Sequence, residues 1–264
     1  MTNLHDETNL KRNIVPTRSF ESTAGAVPRM EINRYWAYHL EANDSIITKY
    51  WTGIRQSQRT CKNCKHTTFT FEPFDQLLVT VPKVRGDSVG VTLEDCLYET
   101  LKPELLGDYT CDKCNQKGYT STLNCIARPP ELLCIALNRF ATNYQTMKTE
   151  KVSTVVEWDF NNIDLDAYVT RNLPGPQNYE CFAIVTHVGS SIDQGHYYTY
   201  VRDPHDPFSQ TWYCMNDSKV SVFETIKGKP SDRKIFGGKK HGTSPYMVYL
   251  RRKRPRLMAG EQHD

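Results

Sequence analysis

No apolar run in the 264 residues approaches the roughly 20 needed to span a bilayer. The first residues, Met-Thr-Asn-Leu-His-Asp-Glu, also lack the basic start and apolar stretch of a secretory signal. The expected setting is therefore intracellular, cytoplasmic or nuclear, with no membrane partner. In that setting nine cysteines do not read as a disulfide framework. A strong charge of one sign is missing too. The net charge is +3, but Arg251, Arg252, Lys253, Arg254 and Arg256 lie together, and with those five of the 33 basic residues set aside, 28 remain against 30 acidic. A near-neutral body argues against a nucleic-acid surface, and a zinc-ribbon nucleic-acid binder would draw on the cysteines and the basic run alone. There is no internal repeat. Residues 1–29 carry no apolar period and read as a disordered lead, and residues 252–264 as a basic disordered tail.

What is present lies in residues 30–251, and its strongest chemical signal is Cys61-Lys-Asn-Cys64 followed by Cys111-Asp-Lys-Cys114. Two residues between cysteines let both thiolates wrap one face of a metal, and two such knuckles complete a tetrahedral set of four sulfurs, the closed structural zinc site. No position is left open for catalysis. Unligated thiols or a redox pair are the alternatives, which the doubled motif disfavours. The 46 residues between the knuckles hold structure of their own. They read as extended segments over 67–81 broken at Pro73, then a helix opened by the capping box Thr92-Leu-Glu-Asp95 with Leu93, Cys96, Leu97 and Leu101 on one side. Upstream, Ile32, Tyr35, Trp36, His39 and Leu40 recur at helical spacing.

After Gly118 the pattern turns to strands. Leu132–Leu137 is a continuous apolar run expected of a central strand buried on both faces; 119–127, 151–158, 179–188 and 246–250 read as further strands, and 226–244 as a mobile loop. Two aromatic and β-branched runs remain, Gly195-His-Tyr-Tyr-Thr-Tyr-Val-Arg202 and Trp212-Tyr-Cys-Met215, separated by a loop containing Pro204 and Pro207. If Arg202 pairs with Thr211, His196 lies opposite Asp217 and within one residue of Asn216. An imidazole held by an amide or carboxylate is the base half of a nucleophile–base–orienter triad. A lone strand histidine is ordinarily a satisfied core residue, but here a glycine precedes it and the motifs around it assemble into one box.

These segments together resemble the ubiquitin-specific protease family, cysteine peptidases that remove ubiquitin from proteins. The most specific part is a histidine box: Tyr179-Glu-Cys-Phe-Ala-Ile-Val-Thr-His-Val-Gly189, then Gly195–Arg202, Trp212-Tyr-Cys-Met-Asn-Asp217 and Tyr246-Met-Val-Tyr249. Ser45-Ile-Ile-Thr, the two knuckles, Thr92-Leu-Glu-Asp-Cys-Leu97 and Pro130-Glu-Leu-Leu-Cys-Ile-Ala-Leu-Asn-Arg-Phe140 also look like family landmarks. The resemblance implies an α+β, papain-like cysteine peptidase fold, with zinc-ribbon fingers over about 54–125, a mainly antiparallel palm sheet over about 126–251 and a truncated thumb. It makes His196 the general base and Asn216 the orienter, four residues after the tryptophan, with Asp217 as the reserve. Either acceptor would take the Nδ1 proton and leave Nε2 for a thiol.

The same resemblance places Gly195 and Tyr197 beside the channel for the Gly-Gly tail of ubiquitin, and makes Cys61, Cys64, Cys111 and Cys114 ligands of a structural zinc at the finger tips. The implied partners are ubiquitin and ubiquitinated proteins. The implied reaction is hydrolysis of the bond between the ubiquitin C-terminal glycine and a lysine. One departure matters. The family's nucleophile sits upstream in a Gly-x-x-Asn-x-Gly-Asn-Thr-Cys-Tyr-like box, whereas no cysteine here precedes Cys61. Cys96, Cys125, Cys134, Cys181 and Cys214 read as buried helix or strand residues. The expectation is a chain that holds the base without the nucleophile, and an inactive ubiquitin-binding scaffold is the alternative.

Overall fold

The computed structural model of the chain describes residues 2–11, 14, 20, 28–84, 90–143, 148–171, 173–189, 194–206, 209–223, 225–226, 229–230, 233–237 and 242–253. Three short helices come first: Thr2–Thr8 (α1), Pro28–Leu40 (α2) and Ile46–Tyr50 (α3). The lead expected to be disordered thus begins with a helix. Polar contacts dock it, which is why no apolar period announces it: His5 Nδ1 lies 2.7 Å from Ser45 Oγ, Asn9 Nδ2 donates to the Ala42 carbonyl at 3.0 Å, and Asn9 Oδ1 accepts from the Asp44 amide at 2.8 Å. Ser45 in turn caps α3, accepting from the Thr48 amide.

The chain then runs through Gly53–Cys61 (β1), Thr67–Phe74 (β2), Gln76–Thr80 (β3) and Val91–Thr92 (β4) into a helix, Leu93–Leu101 (α4), and on through Glu104–Leu106 (β5) to Thr120–Arg128 (β6). Strands β2-β1-β6-β5 form a four-stranded antiparallel ribbon. The break expected at Pro73 falls at Asp75 instead, because β2 is an edge strand, where a proline is tolerated. Cys61 closes β1 opposite Thr120, the first residue of β6, so both knuckles hang from the same end of the ribbon.

The larger sheet follows. Its strands come from Leu132–Asn138 (β7), then, past the hairpin Phe140–Asn143 (β8) and Lys148–Lys151 (β9), from Val156–Glu157 (β10), which pairs with β4, and Ile163–Asp164 (β11). Next come Asn178–Val188 (β12), His196–Arg202 (β13), Trp212–Asn216 (β14), Lys219–Phe223 (β15), the short pair Thr225–Ile226 (β16) and Lys229–Pro230 (β17), and Thr243–Arg252 (β18). The order is β15-β14-β13-β12-β18-β7-β3, with β11 on β12, antiparallel throughout except between β3 and β7. β7 is buried along its apolar run and is paired on both sides, but it is not the central strand expected: it lies next to last, between β18 and the edge strand β3. The single strand expected over 151–158 divides into the end of β9 and β10.

The core lies on one face of this sheet. Leu77, Val79, Leu133, Ile135, Ile184, Val248 and Leu250 pack against Leu93, Cys96 and Leu97 of α4. The capping box forms as read: the Asp95 amide donates to Thr92 Oγ1 at 3.0 Å and the Thr92 amide to Asp95 Oδ2 at 2.8 Å. Trp212 meets the edge of Phe160 at 5.5 Å, and Phe236 closes on Trp158 at 5.1 Å. Phe236 belongs to a short helix, Arg233–Phe236, with Ile235 fully buried, so part of the stretch expected to be a mobile loop is packed into the core. The basic tail also starts later than expected. Arg251 Nε donates to Glu180 Oε1 at 2.7 Å and Arg252 Nη2 to Gln177 Oε1 at 2.7 Å, holding both residues in β18; residues 254–264 lie outside the described residues.

Candidate functional site

His196 opens β13 at one end of the large sheet. Arg202 pairs with Trp212, one residue beyond the expected Thr211. That single step decides which acceptor can face the histidine, because side chains alternate between faces along a strand. It puts Asn216 on the His196 face. Asp217 has already left the strand, at φ 52 in the two-residue turn that brings Lys219 opposite Asn216. His196 Nε2 hydrogen-bonds Asn216 Oδ1, and Asp217 Oδ2 stands 3.9 Å from the same nitrogen. The contact corrects one expectation: Nε2, not Nδ1, is the held nitrogen. A carbonyl oxygen only accepts, so Nε2 carries the proton and Nδ1 keeps the free lone pair.

Gly195 is exposed immediately before the histidine, and Tyr197 directs a half-exposed ring to the opposite face, 5.8 Å from the ring of Tyr246. The sequence reading passed over Tyr246, His187 and Lys151 as individual site residues, although the first two lie in the quoted motifs. His187 and Tyr246 stand beside Tyr197, and Lys151 donates to the carbonyl oxygens of His187 and Gly189. The five remaining thiols are unlike a nucleophile. Burial pushes Cys96 and Cys181 up to about 12 and Cys125 and Cys134 up to about 11, and raises Cys214. Among the described residues no thiol hydrogen-bonds His196.

At the far end of the ribbon the two knuckles adopt one conformation. Cys61 accepts at its carbonyl from the Lys65 amide (2.9 Å) and donates from its amide to His66 (2.9 Å); Cys111 does the same with Asn115 (2.8 Å) and Gln116 (3.0 Å). The residue after each second cysteine turns into the left-handed region, Lys65 at φ 61 and Asn115 at φ 55. The four sulfurs all lie within 4.8 Å of one another, with Cys61–Cys114 and Cys64–Cys111 at 3.7 Å. A tetrahedron with Zn–S near 2.3 Å has sulfurs about 3.8 Å apart, so the donor set fits zinc. The four thiols influence one another: the Gln116 amide pulls Cys114 down to about 6, while burial and the neighbouring thiols push Cys64 up to about 11. Between the ribbon, the end of α4 and the segment 166–171 lies a groove of about 1010 Å³ bordered by Gln56, Gln58, Tyr98, Lys102, Leu123 and Arg171. The Gln56 amide oxygen is buried there without a partner among the described residues.

A sheet ending in a histidine–asparagine pair is thus joined to a ribbon at whose tip four cysteines converge. The fold aligns with a chain of the SAGA Ubp8/Sgf11/Sus1/Sgf73 DUB module bound to ubiquitin aldehyde at a TM-score of 0.64, with 19% identity, over 85% of this chain and 47% of that one. The ubiquitin carboxyl-terminal hydrolase family profile matches residues 1–249, and the chain belongs to that family. Ubiquitin carboxyl-terminal hydrolase 2 of Gallus gallus is 29% identical over 233 residues, which is 87% of this chain and 62% of that protein. Ubiquitin carboxyl-terminal hydrolase 21 of Rattus norvegicus is 32% identical over 193 residues, 72% of this chain and 32% of the relative. The chain thus spans less than two thirds of the length of these relatives.

Proposed function

We propose that this chain is the fingers and palm of a deubiquitinase, acting on the bond between the ubiquitin C-terminal glycine and a protein lysine. The observation that carries the reading is the His196–Asn216 pair at the palm edge. Asn216 fixes the ring and its tautomer, leaving Nδ1 to take the proton of an attacking thiol. The thiolate forms the acyl-enzyme as the lysine amine leaves with that proton, and water then releases ubiquitin. Gly195 and Tyr197 border the path of the ubiquitin tail, and the groove between the ribbon and α4 receives part of its body. Zinc, bound by Cys61, Cys64, Cys111 and Cys114, closes the finger tips and takes no part in the reaction.

The nucleophile is not one of this chain's own thiols. The five cysteines outside the metal set have raised pKa values, which favours this reading. The same observation supports a second reading, a ubiquitin-binding scaffold that does not cut. The purified chain should bind ubiquitin but not react with a ubiquitin carrying a thiol-reactive C-terminus. Labelling of any cysteine would refute the claim about the nucleophile, and failure to bind would remove ubiquitin as partner. A transcript that continues upstream in frame into an Asn-Thr-Cys-Tyr box separates the enzyme from the scaffold.

A further inference from the structure

Beneath the strand that carries His196 lies a second imidazole. His187, in β12, is 2% exposed, and among the described residues neither ring nitrogen has a hydrogen-bond partner. An unpaired buried polar group is costly, so this ring contributes through its shape and place rather than its nitrogens. Burial, and then the charge of Lys151, hold its pKa below the ordinary histidine value, which keeps it neutral. The ring packs on Tyr197 at 4.8 Å and Phe140 at 6.0 Å between centroids.

Its cover is the backbone of Gly195. A Cβ on Gly195 would stand 2.1 Å from His187 Nε2 and 2.5 Å from the Val188 carbonyl oxygen, so only glycine lets the chain lie this close. Gly189, at φ +137, completes the enclosure, with its own Cβ position 3.3 Å from His187 Cε1. Lys151 Nζ clamps the end of β12, donating to the carbonyl oxygens of Gly189 at 2.6 Å and His187 at 3.4 Å. Val188 pairs with His196 and His187 with Tyr197, so the His187 ring and the His196 ring leave the sheet on opposite faces. Any influence of one on the other passes through the backbone at Gly195.

We propose that His187 is a positioning residue for His196: its ring is the platform on which Gly195 lies, and that contact sets the backbone from which His196 reaches Asn216. The proposal rests on His196 being the base of the deubiquitinase palm, while its geometry requires no ubiquitin. The test is NMR of the whole zinc-loaded chain with labelled histidine, without ubiquitin. The wild type should show a slowly exchanging His196 Nε2 proton, identified by its loss in Asn216→Ala. His187→Phe, which keeps a flat ring, should retain the signal.

His187→Ala should lose the signal with far-UV circular dichroism and zinc content unchanged. Gly195→Ala should lose it too, and combining Gly195→Ala with His187→Ala should restore it in part, because the smaller residue vacates the volume the new methyl needs. Persistence of the signal in both single alanine variants, or its loss in folded His187→Phe, overturns the proposal. If His187→Ala does not fold, Gly195→Ala and the double variant carry the same decision. Ubiquitin binding by the same wild-type sample separates the two ideas. No binding with the histidine pattern intact rejects the deubiquitinase reading alone, and binding without the pattern rejects the role of His187 alone.

Discussion

The tip of the fingers and the palm are one chain held by two different forces. In the palm, Leu133, Ile135, Leu137, Ile184, Val248 and Leu250 are wholly buried, and the sheet is stabilised by apolar area removed from water. At the tip, apart from the cysteines, residues 62–65 and 112–117 are exposed. Ordering backbone costs about 1–2 kcal/mol per residue, and so little burial does not offset it. Four converging sulfurs do, if a metal joins them. The metal-held tip and the apolar palm should therefore fail separately.

The largest effect expected is Cys111→Ser. Structural zinc is worth about 10–16 kcal/mol in small zinc domains, so this change should release the metal and speed amide exchange across 61–120 while β12 and β13 stay protected. Retention of one zinc per chain by elemental analysis would sink the metal assignment. Trp212→Ala attacks the other side. It should cost about 3–5 kcal/mol in urea unfolding with zinc content unchanged, and loss of zinc along with the palm would show that the two regions are one cooperative unit. Thr92→Ala, which removes half of the capping box of α4, should cost about 1 kcal/mol, again from the palm only.

The smallest effect is on pH dependence. Burial lowers the pKa of His39 and His187 in the folded chain. The unfolded chain then binds protons that the folded one does not, so their contribution is complete above the unfolded value of about 6.5 and is lost as pH falls below it. His187→Phe should flatten the fall in palm stability below that pH, as read by chemical denaturation; an unchanged slope would show that the buried ring is not what titrates.

Local features proved legible where they depend on near neighbours. The capping box of Thr92 and Asp95, the doubled knuckles and the apolar run of β7 each state their structure within a few residues. The helix α1 did not, because polar contacts to Ala42, Asp44 and Ser45 replace the apolar period by which helices are recognised. Arg251 and Arg252 looked like solvent-facing charge until Glu180 and Gln177, more than 70 positions away, supplied partners. His187 carries no such local signal, since nothing in a strand pattern shows that its nitrogens have no partner among the described residues or that Gly195 covers its ring.

Sequence by itself determined the quartet of converging cysteines, a mainly antiparallel sheet and the family, because spacing, periodicity and motif order are properties of the chain. Tertiary structure alone decided which face each side chain occupies. The β13–β14 register moved by one residue from the expected pairing, and with a side-chain period of two that step placed Asn216 beside His196 and carried Asp217 into the turn. It also decided that Nε2 is the held nitrogen. The ring's partner Asn216 comes from β14, twenty residues on, and meets it only when the strands pair.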